Sequence, residues 1–123
     1  MLYVEDNAAN ARIMGHILRT LPNVELQVAV SAEEGLRLIQ QDPPDLVLMD
    51  IHLPGMSGLD AMRLIRTDPR TAGLAVIAVS AAAMDSDVQQ GLDAGFRYYL
   101  TKPFDVAELL TLIADTLQAV RPP

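Results

Sequence analysis

Five polar side chains at four widely separated places could do chemistry together: Glu5 with Asp6, Asp50, Ser80 and Lys102. Each closes an apolar stretch. Glu5 and Asp6 follow Leu2-Tyr3-Val4, and Asp50 follows Leu46-Val47-Leu48-Met49. Ser80 follows Ala75-Val76-Ile77-Ala78-Val79, and Lys102 comes just after Tyr98-Tyr99-Leu100. Two carboxylates about 5 Å apart at an effective dielectric near 20 repel by roughly 3 kcal/mol, so three of them call for a cation. Oxygen ligands, with no Cys and no inward-pointing His, favour Mg²⁺, which takes one or two carboxylates, a phosphate oxygen and several waters. One carboxylate is then a nucleophile for phosphorus, giving an acyl phosphate. The metal, the ammonium and the hydroxyl would stabilise the equatorial oxygens in transfer. Asp50, alone on its strand, is the expected nucleophile, with Glu5 and Asp6 as the expected metal ligands. Taken singly, each residue also has a plainer role: Asp6 and Asn7 as helix caps, Ser80 as a strand end, Lys102 as a solvated turn residue. Convergence separates the two readings, and convergence depends on the elements.

The run Leu46–Met49 meets Asp50 without a polar interruption, which suits a short strand buried on both faces at the centre of a parallel sheet. Pro54, Gly55, Ser57 and Gly58 then return the chain to solvent. Before it come a strand at Met1–Val4, a helix over about 8–21 carrying Ile13, Ile17, Leu18 and Leu21, and a break at Pro22-Asn23. Val24 to Val30 alternates as a half-exposed edge strand. Ser31 and Glu34 cap a second helix running to about Gln41. After the central strand, Leu59, Met62 and Ile65 mark a third helix, and Leu74–Val79 a fourth strand. A fourth helix over about 85–94 has an apolar face of little more than Val88 and Leu92, with Gly95 as its C-terminal cap. Tyr98–Leu100 is the fifth strand. Asp105 and Glu108 cap a last helix with Val106, Leu109, Leu110, Ile113 and Leu117 inward. Strand and helix alternate five times, so the expected class is α/β: a doubly wound (βα)5 three-layer sandwich around a five-stranded parallel sheet. All five strands then end along one edge, where open α/β sheets place their ligands.

With 123 residues, half of them apolar, the chain is expected to form one globular domain. A formal charge of −7 argues against direct binding to nucleic acid or anionic membrane. No apolar run approaches the roughly 18 residues of a membrane span, so no membrane insertion is expected, and no signal-peptide layout opens the chain. Cysteine is absent, which excludes disulfides and thiolate metal sites and is compatible with a reducing cytoplasm. The opening inside a strand suggests a domain cut from a larger protein. Residues 1–120 are expected to be the domain, and Arg121-Pro122-Pro123 the start of a linker or tail.

These residues carry a resemblance. Val4-Glu5-Asp6-Asn7, Met49-Asp50, Leu53-Pro54-Gly55-Met56-Ser57-Gly58, Ser80-Ala81 and Tyr99-Leu100-Thr101-Lys102-Pro103-Phe104 resemble the receiver domain of two-component response regulators, over essentially the whole chain. The resemblance implies a flavodoxin-like sheet in the order 2-1-3-4-5. It implies phosphorylation of Asp50 from a phosphohistidine of a histidine kinase or a histidine phosphotransfer domain. Mg²⁺ would sit on Glu5, Asp6, Asp50 and the His52 backbone carbonyl, and Ser80 and Lys102 would touch the phosphoryl group. It further implies a cis peptide before Pro103 and a switch in which Ser80 moves and Tyr99 turns inward. Helix 4, strand 5 and helix 5 would then present an altered face to a downstream protein or domain. Such a domain catalyses its own phosphorylation and dephosphorylation rather than turning over a substrate. The motifs look like receivers of hybrid sensor kinases, which would make it a cytoplasmic part of a membrane-bound protein; a stand-alone regulator is the other context.

Several residues keep two readings. The His52 side chain either faces the phosphoryl group and influences its hydrolysis or points to solvent. Tyr99 is either the switch or an edge aromatic packed on helix 4. Ala82 brings no polar group to orient water. His16 is a surface or packing residue, Phe104 belongs to the core, and Met14, Met49, Met56, Met62 and Met84 fill gaps in or near it. A flavodoxin-type FMN site would need a phosphate cradle where Glu5-Asp6 stand, and a haloacid-dehalogenase-type phosphatase a second Asp where His52 stands. The non-catalytic alternative is a receiver-like interaction module that is never phosphorylated.

Overall fold

The computed structural model describes residues 1–22 and 24–120; the expected linker at 121–123 and Asn23 of the first break lie outside the described residues. The order is β1 (Leu2–Val4), α1 (Ala8–Leu18), β2 (Gln27–Ala29), α2 (Ala32–Gln41), β3 (Val47–Asp50), α3 (Gly58–Thr67), β4 (Val76–Ser80), α4 (Asp85–Ala94), β5 (Tyr98–Thr101) and α5 (Val106–Val120). The strands form one sheet in the order β2-β1-β3-β4-β5, every neighbouring pair parallel. Val4 lies opposite Met49, Asp50 opposite Val79, and Ser80 opposite Thr101, which aligns the polar strand ends along one edge.

Side-chain alternation divides the core into two layers. Leu2, Val4, Val47, Met49, Val76 and Ala78 pack with Ile39 of α2 and Ala61, Met62 and Ile65 of α3. Tyr3, Leu48, Ile77, Val79 and Leu100 pack on the other face with Met14 and Leu18 of α1 and Leu109 and Ile113 of α5. Helices α1, α2, α3 and α5 begin on side-chain caps. Asn7 Oδ1 accepts from Asn10 N (3.0 Å), Ser31 Oγ from Glu34 N (3.1 Å), Ser57 Oγ from Asp60 N (3.1 Å) and Asp105 Oδ1 from Ala107 N (2.7 Å).

Some expectations need correction. The first helix stops at Leu18 rather than Leu21, because the N–H of Leu21 bonds to the Leu18 carbonyl at 3.0 Å and tightens the chain into a turn. The second strand has only the three residues that pair with β1. Ile13 is 56% exposed and Met14 is buried in its place. Met84, expected near the core, is 71% exposed at the start of α4. On α4 the buried residue is Gly91, whereas Leu92 is 42% exposed. A Cβ at Gly91 would stand 2.6 Å from Tyr99 Cδ2, so the absent side chain is what lets the ring lie against α4. Gly95 caps α4 in the left-handed region (φ 115°). Its carbonyl accepts from Arg66 Nη2 (2.6 Å) and Nε (3.2 Å), while Arg66 Nη1 reaches the carbonyls of Ala72 (2.9 Å) and Leu74 (2.7 Å). One guanidinium thus ties the end of α3 to the entry of β4 and the exit of α4.

Candidate functional site

Parallel pairing in register brings Glu5, Asp50 and Lys102 to one end of the sheet, on the side facing α1 and α5. Lys102 Nζ donates to Asp50 Oδ2 at 3.0 Å and lies 3.5 Å from Glu5 Oε1. The other oxygen of Asp50, Oδ1, accepts from the His52 backbone N–H at 3.0 Å. Glu5 is 1% exposed and Asp50 is buried, whereas Asp6 is exposed at the mouth. Ligand oxygens of Glu5, Asp6 and Asp50 all fall within 4.8 Å of one another.

The electrostatics follow from this crowding. Burial, then the neighbouring Asp50 carboxylate, push the Glu5 carboxyl from 4.5 up to about 7, against the opposing pull of Asn10 and Lys102. Burial works against the Lys102 charge, yet its bond to Asp50 and the charges of Asp50 and Glu5 prevail and hold its pKa above the ordinary value. Burial, with the negative field of Glu5 and Asp50, raises the Tyr3 phenol as well. Glu5 Oε2 is buried and has no hydrogen-bond partner. An ionised oxygen without a donor in low dielectric is costly. Three carboxylates, one of them carrying such an oxygen, fit a hard divalent cation.

Ser80 is fully buried at the end of β4, and its Oγ accepts from Ala82 N at 3.1 Å. Tyr99 lies half-buried with its ring against Gly91, and its hydroxyl donates to the Ala82 carbonyl at 2.7 Å. Both residues therefore hold the same peptide segment. The Lys102–Pro103 bond is cis. The His52 side chain is exposed, as is His16. Phe104 is half-buried against the α1–α5 layer.

Reading the sequence missed two participants. Asn10 Nδ2 donates to Glu5 Oε1 at 2.5 Å; the available signal was an Asn in the first turn of the helix that follows the acidic pair. Ala82 takes part only through main-chain atoms, which leave no trace in residue type.

Residues 1–114 match the response regulator receiver domain. The chain belongs to that family. It is thereby a phosphoacceptor domain of two-component phosphorelay signalling, with the strand order that such domains share. The receiver is 34% identical over 118 residues to RpaA, a DNA-binding dual master transcriptional regulator of Synechocystis sp., covering 96% of this chain and 48% of that protein. It spans about half or less of the curated relatives it matches. The receiver domain of sensor histidine kinase PA1611 from Pseudomonas aeruginosa, solved with a magnesium ion in its active site cleft, superposes with a TM-score of 0.85 at 32% identity, over 94% of both chains. A chain from the co-crystal of the Saccharomyces cerevisiae histidine phosphotransfer protein Ypd1 with the Ssk1 receiver gives 0.87 at 26% identity, over 98% of this chain and 90% of that one. Among the described residues of the receiver, no helix is long and apolar enough to cross a membrane.

Proposed function

We propose that Asp50 is the phosphoacceptor, taking a phosphoryl group from a phosphohistidine on a histidine kinase or a histidine phosphotransfer domain. The observation that carries this reading is the Lys102–Asp50 contact at 3.0 Å, set beside a buried, unpartnered Glu5 oxygen in a cluster of three carboxylates. An Asp50 oxygen attacks phosphorus, the O–P bond forms as the donor's N–P bond breaks, and the imidazole leaves with the electron pair. Lys102, already on Asp50, steadies the incoming negative charge, and Ser80 lies on the same edge to receive a phosphoryl oxygen. Glu5, Asp6, Asp50 and the His52 carbonyl would hold Mg²⁺, which when bound neutralises charge on the transferring group.

The Ser80 hydroxyl accepts from Ala82 N and keeps its own proton to donate to a phosphoryl oxygen, so a turn of Ser80 toward that group would draw on Ala82, whose carbonyl Tyr99 holds. A charge change at Asp50 is thereby relayed to the face formed by α4, β5 and α5, where a downstream protein or domain would bind. Leu92 and Tyr98 are exposed there. This activity is self-modification rather than substrate turnover. It belongs in the cytoplasm, alone or as part of a hybrid kinase. The acidic balance of the chain disfavours direct contact with nucleic acid.

Intact mass after incubation with acetyl phosphate and Mg²⁺ tests the reading. One phosphoryl group is expected on the wild type, none on Asp50→Asn, and none when the metal is chelated. If folded, Mg²⁺-binding wild type gains no mass from acetyl phosphate or from a phosphorylated histidine phosphotransfer protein, the chain is an interaction module and the proposal fails.

A further inference from the structure

We propose that Asn10 is a positioning residue for the cation: it fixes the Glu5 carboxylate through Oε1, so that Oε2 is the oxygen presented to Mg²⁺. The inference rests on the reading of this site given above, and it concerns a residue outside the expected ligand set.

The geometry starts at the helix cap. Asn7 Oδ1 accepts the Asn10 backbone N–H at 3.0 Å, which fixes the first turn of α1 over the end of β1. From there the Asn10 side chain donates to Glu5 Oε1 at 2.5 Å. A carboxylate only accepts hydrogen bonds, so the amide nitrogen is the atom that must face it. Lys102 Nζ lies 3.5 Å from the same oxygen. Two donors therefore crowd Oε1, while the buried Oε2 has none. A carboxylate tethered at one oxygen cannot pivot, and the untethered oxygen keeps a fixed direction. Mg²⁺ demands near-ideal octahedral placement of its ligands, whereas Ca²⁺ tolerates loose ones, so a pre-oriented oxygen favours the smaller ion. The amide does this without adding charge; a carboxylate at position 10 would bring a fourth negative group into the cluster.

Without Asn10, Lys102 alone holds Oε1, and the Glu5 carboxylate is free to turn onto the ammonium. Partners of metal ligands typically change affinity by 10–100-fold when removed. Calorimetric titration with Mg²⁺ and with Ca²⁺ tests this on wild type, Asn10→Ala, Glu5→Asp and the double variant. Asn10→Leu, close to Asn in size and unable to donate, serves beside Ala to keep the packing. Either replacement should weaken Mg²⁺ about tenfold and Ca²⁺ clearly less. In Glu5→Asp the carboxyl is withdrawn by one methylene from Asn10, so adding Asn10→Ala should cost less than about twofold. Circular dichroism in chelator verifies that each variant is folded. Wild-type Mg²⁺ affinity in folded Asn10→Ala and Asn10→Leu would overturn the inference, as would an equal loss in the Glu5→Asp background. If wild type itself bound no Mg²⁺, the site reading would fall, and the inference with it.

Discussion

Replacing Glu5 with Gln should stabilise the metal-free domain above neutral pH and leave it little changed in mild acid. The Glu5 carboxyl is buried beside Asp50, and its pKa is raised from 4.5 to about 7. Between those values the folded chain holds more of a proton than the unfolded one, so stability falls as pH rises through the window. The penalty is absent below pH 4.5 and complete above pH 7. The full shift corresponds to about 3 kcal/mol. Exposed Asp6 opens the crevice to water, and screening there brings the expected cost down to about 1–2 kcal/mol. Gln has the same shape, can accept from Asn10 and can donate to Asp50, so its burial leaves no partner stranded. Urea unfolding in chelator, followed by far-UV circular dichroism, should show Glu5→Gln ahead of wild type by that amount at pH 8 and nearly level at pH 5. Mg²⁺ should then reverse the order. At 100 times its dissociation constant a ligand stabilises by about 2.7 kcal/mol, and the variant has lost one carboxylate that would bind it. A gap of equal size at both pH values would refute the reasoning, and so would a wild type that gains stability on Glu5 ionisation.

Gly91→Ala should force the Tyr99 ring off α4, since the new Cβ would meet two ring atoms at 2.6 and 2.9 Å. We expect a loss of about 1–3 kcal/mol in urea unfolding and a blue-shifted, more solvent-accessible tyrosine signal. Arg66→Lys should cost about 1–3 kcal/mol despite keeping the charge, because one ammonium cannot serve the carbonyls of Ala72, Leu74 and Gly95 together. Equal midpoints for variant and wild type would show that the carbonyls find other donors.

The sheet was legible because each strand is a short apolar run ended by turn residues, and the alternation with helices calls for parallel pairing; its order, 2-1-3-4-5, was implied by the resemblance. The convergence of Glu5, Asp50 and Lys102 follows from that topology alone. Where the sequence misled, the physical reason differs from case to case. Ile13 is apolar and correctly spaced, but the helix is rotated so that Met14 enters the core. The contact between α4 and β5 depends on a side chain that is missing: Gly91 carries no hydrophobic signal, and attention went to Leu92, which is exposed. Asn10 was hidden because an amide in a first helical turn is ordinary, and only the fold shows which carboxylate it reaches. Arg66 carries no sequence signal for its role, because its partners are main-chain carbonyls 6 to 29 residues away.

The link at Ala82 has a consequence for how such a domain can diversify. Ser80 takes the N–H of this residue and Tyr99 its carbonyl, so neither bond depends on which side chain stands there. Position 82 is thus both a rigid joint and an open slot. A different side chain on its Cβ would leave both main-chain bonds, and with them the link between β4 and β5, in place. The joint and whatever the side chain presents are carried by different atoms of one residue, and each can be altered without dismantling the other.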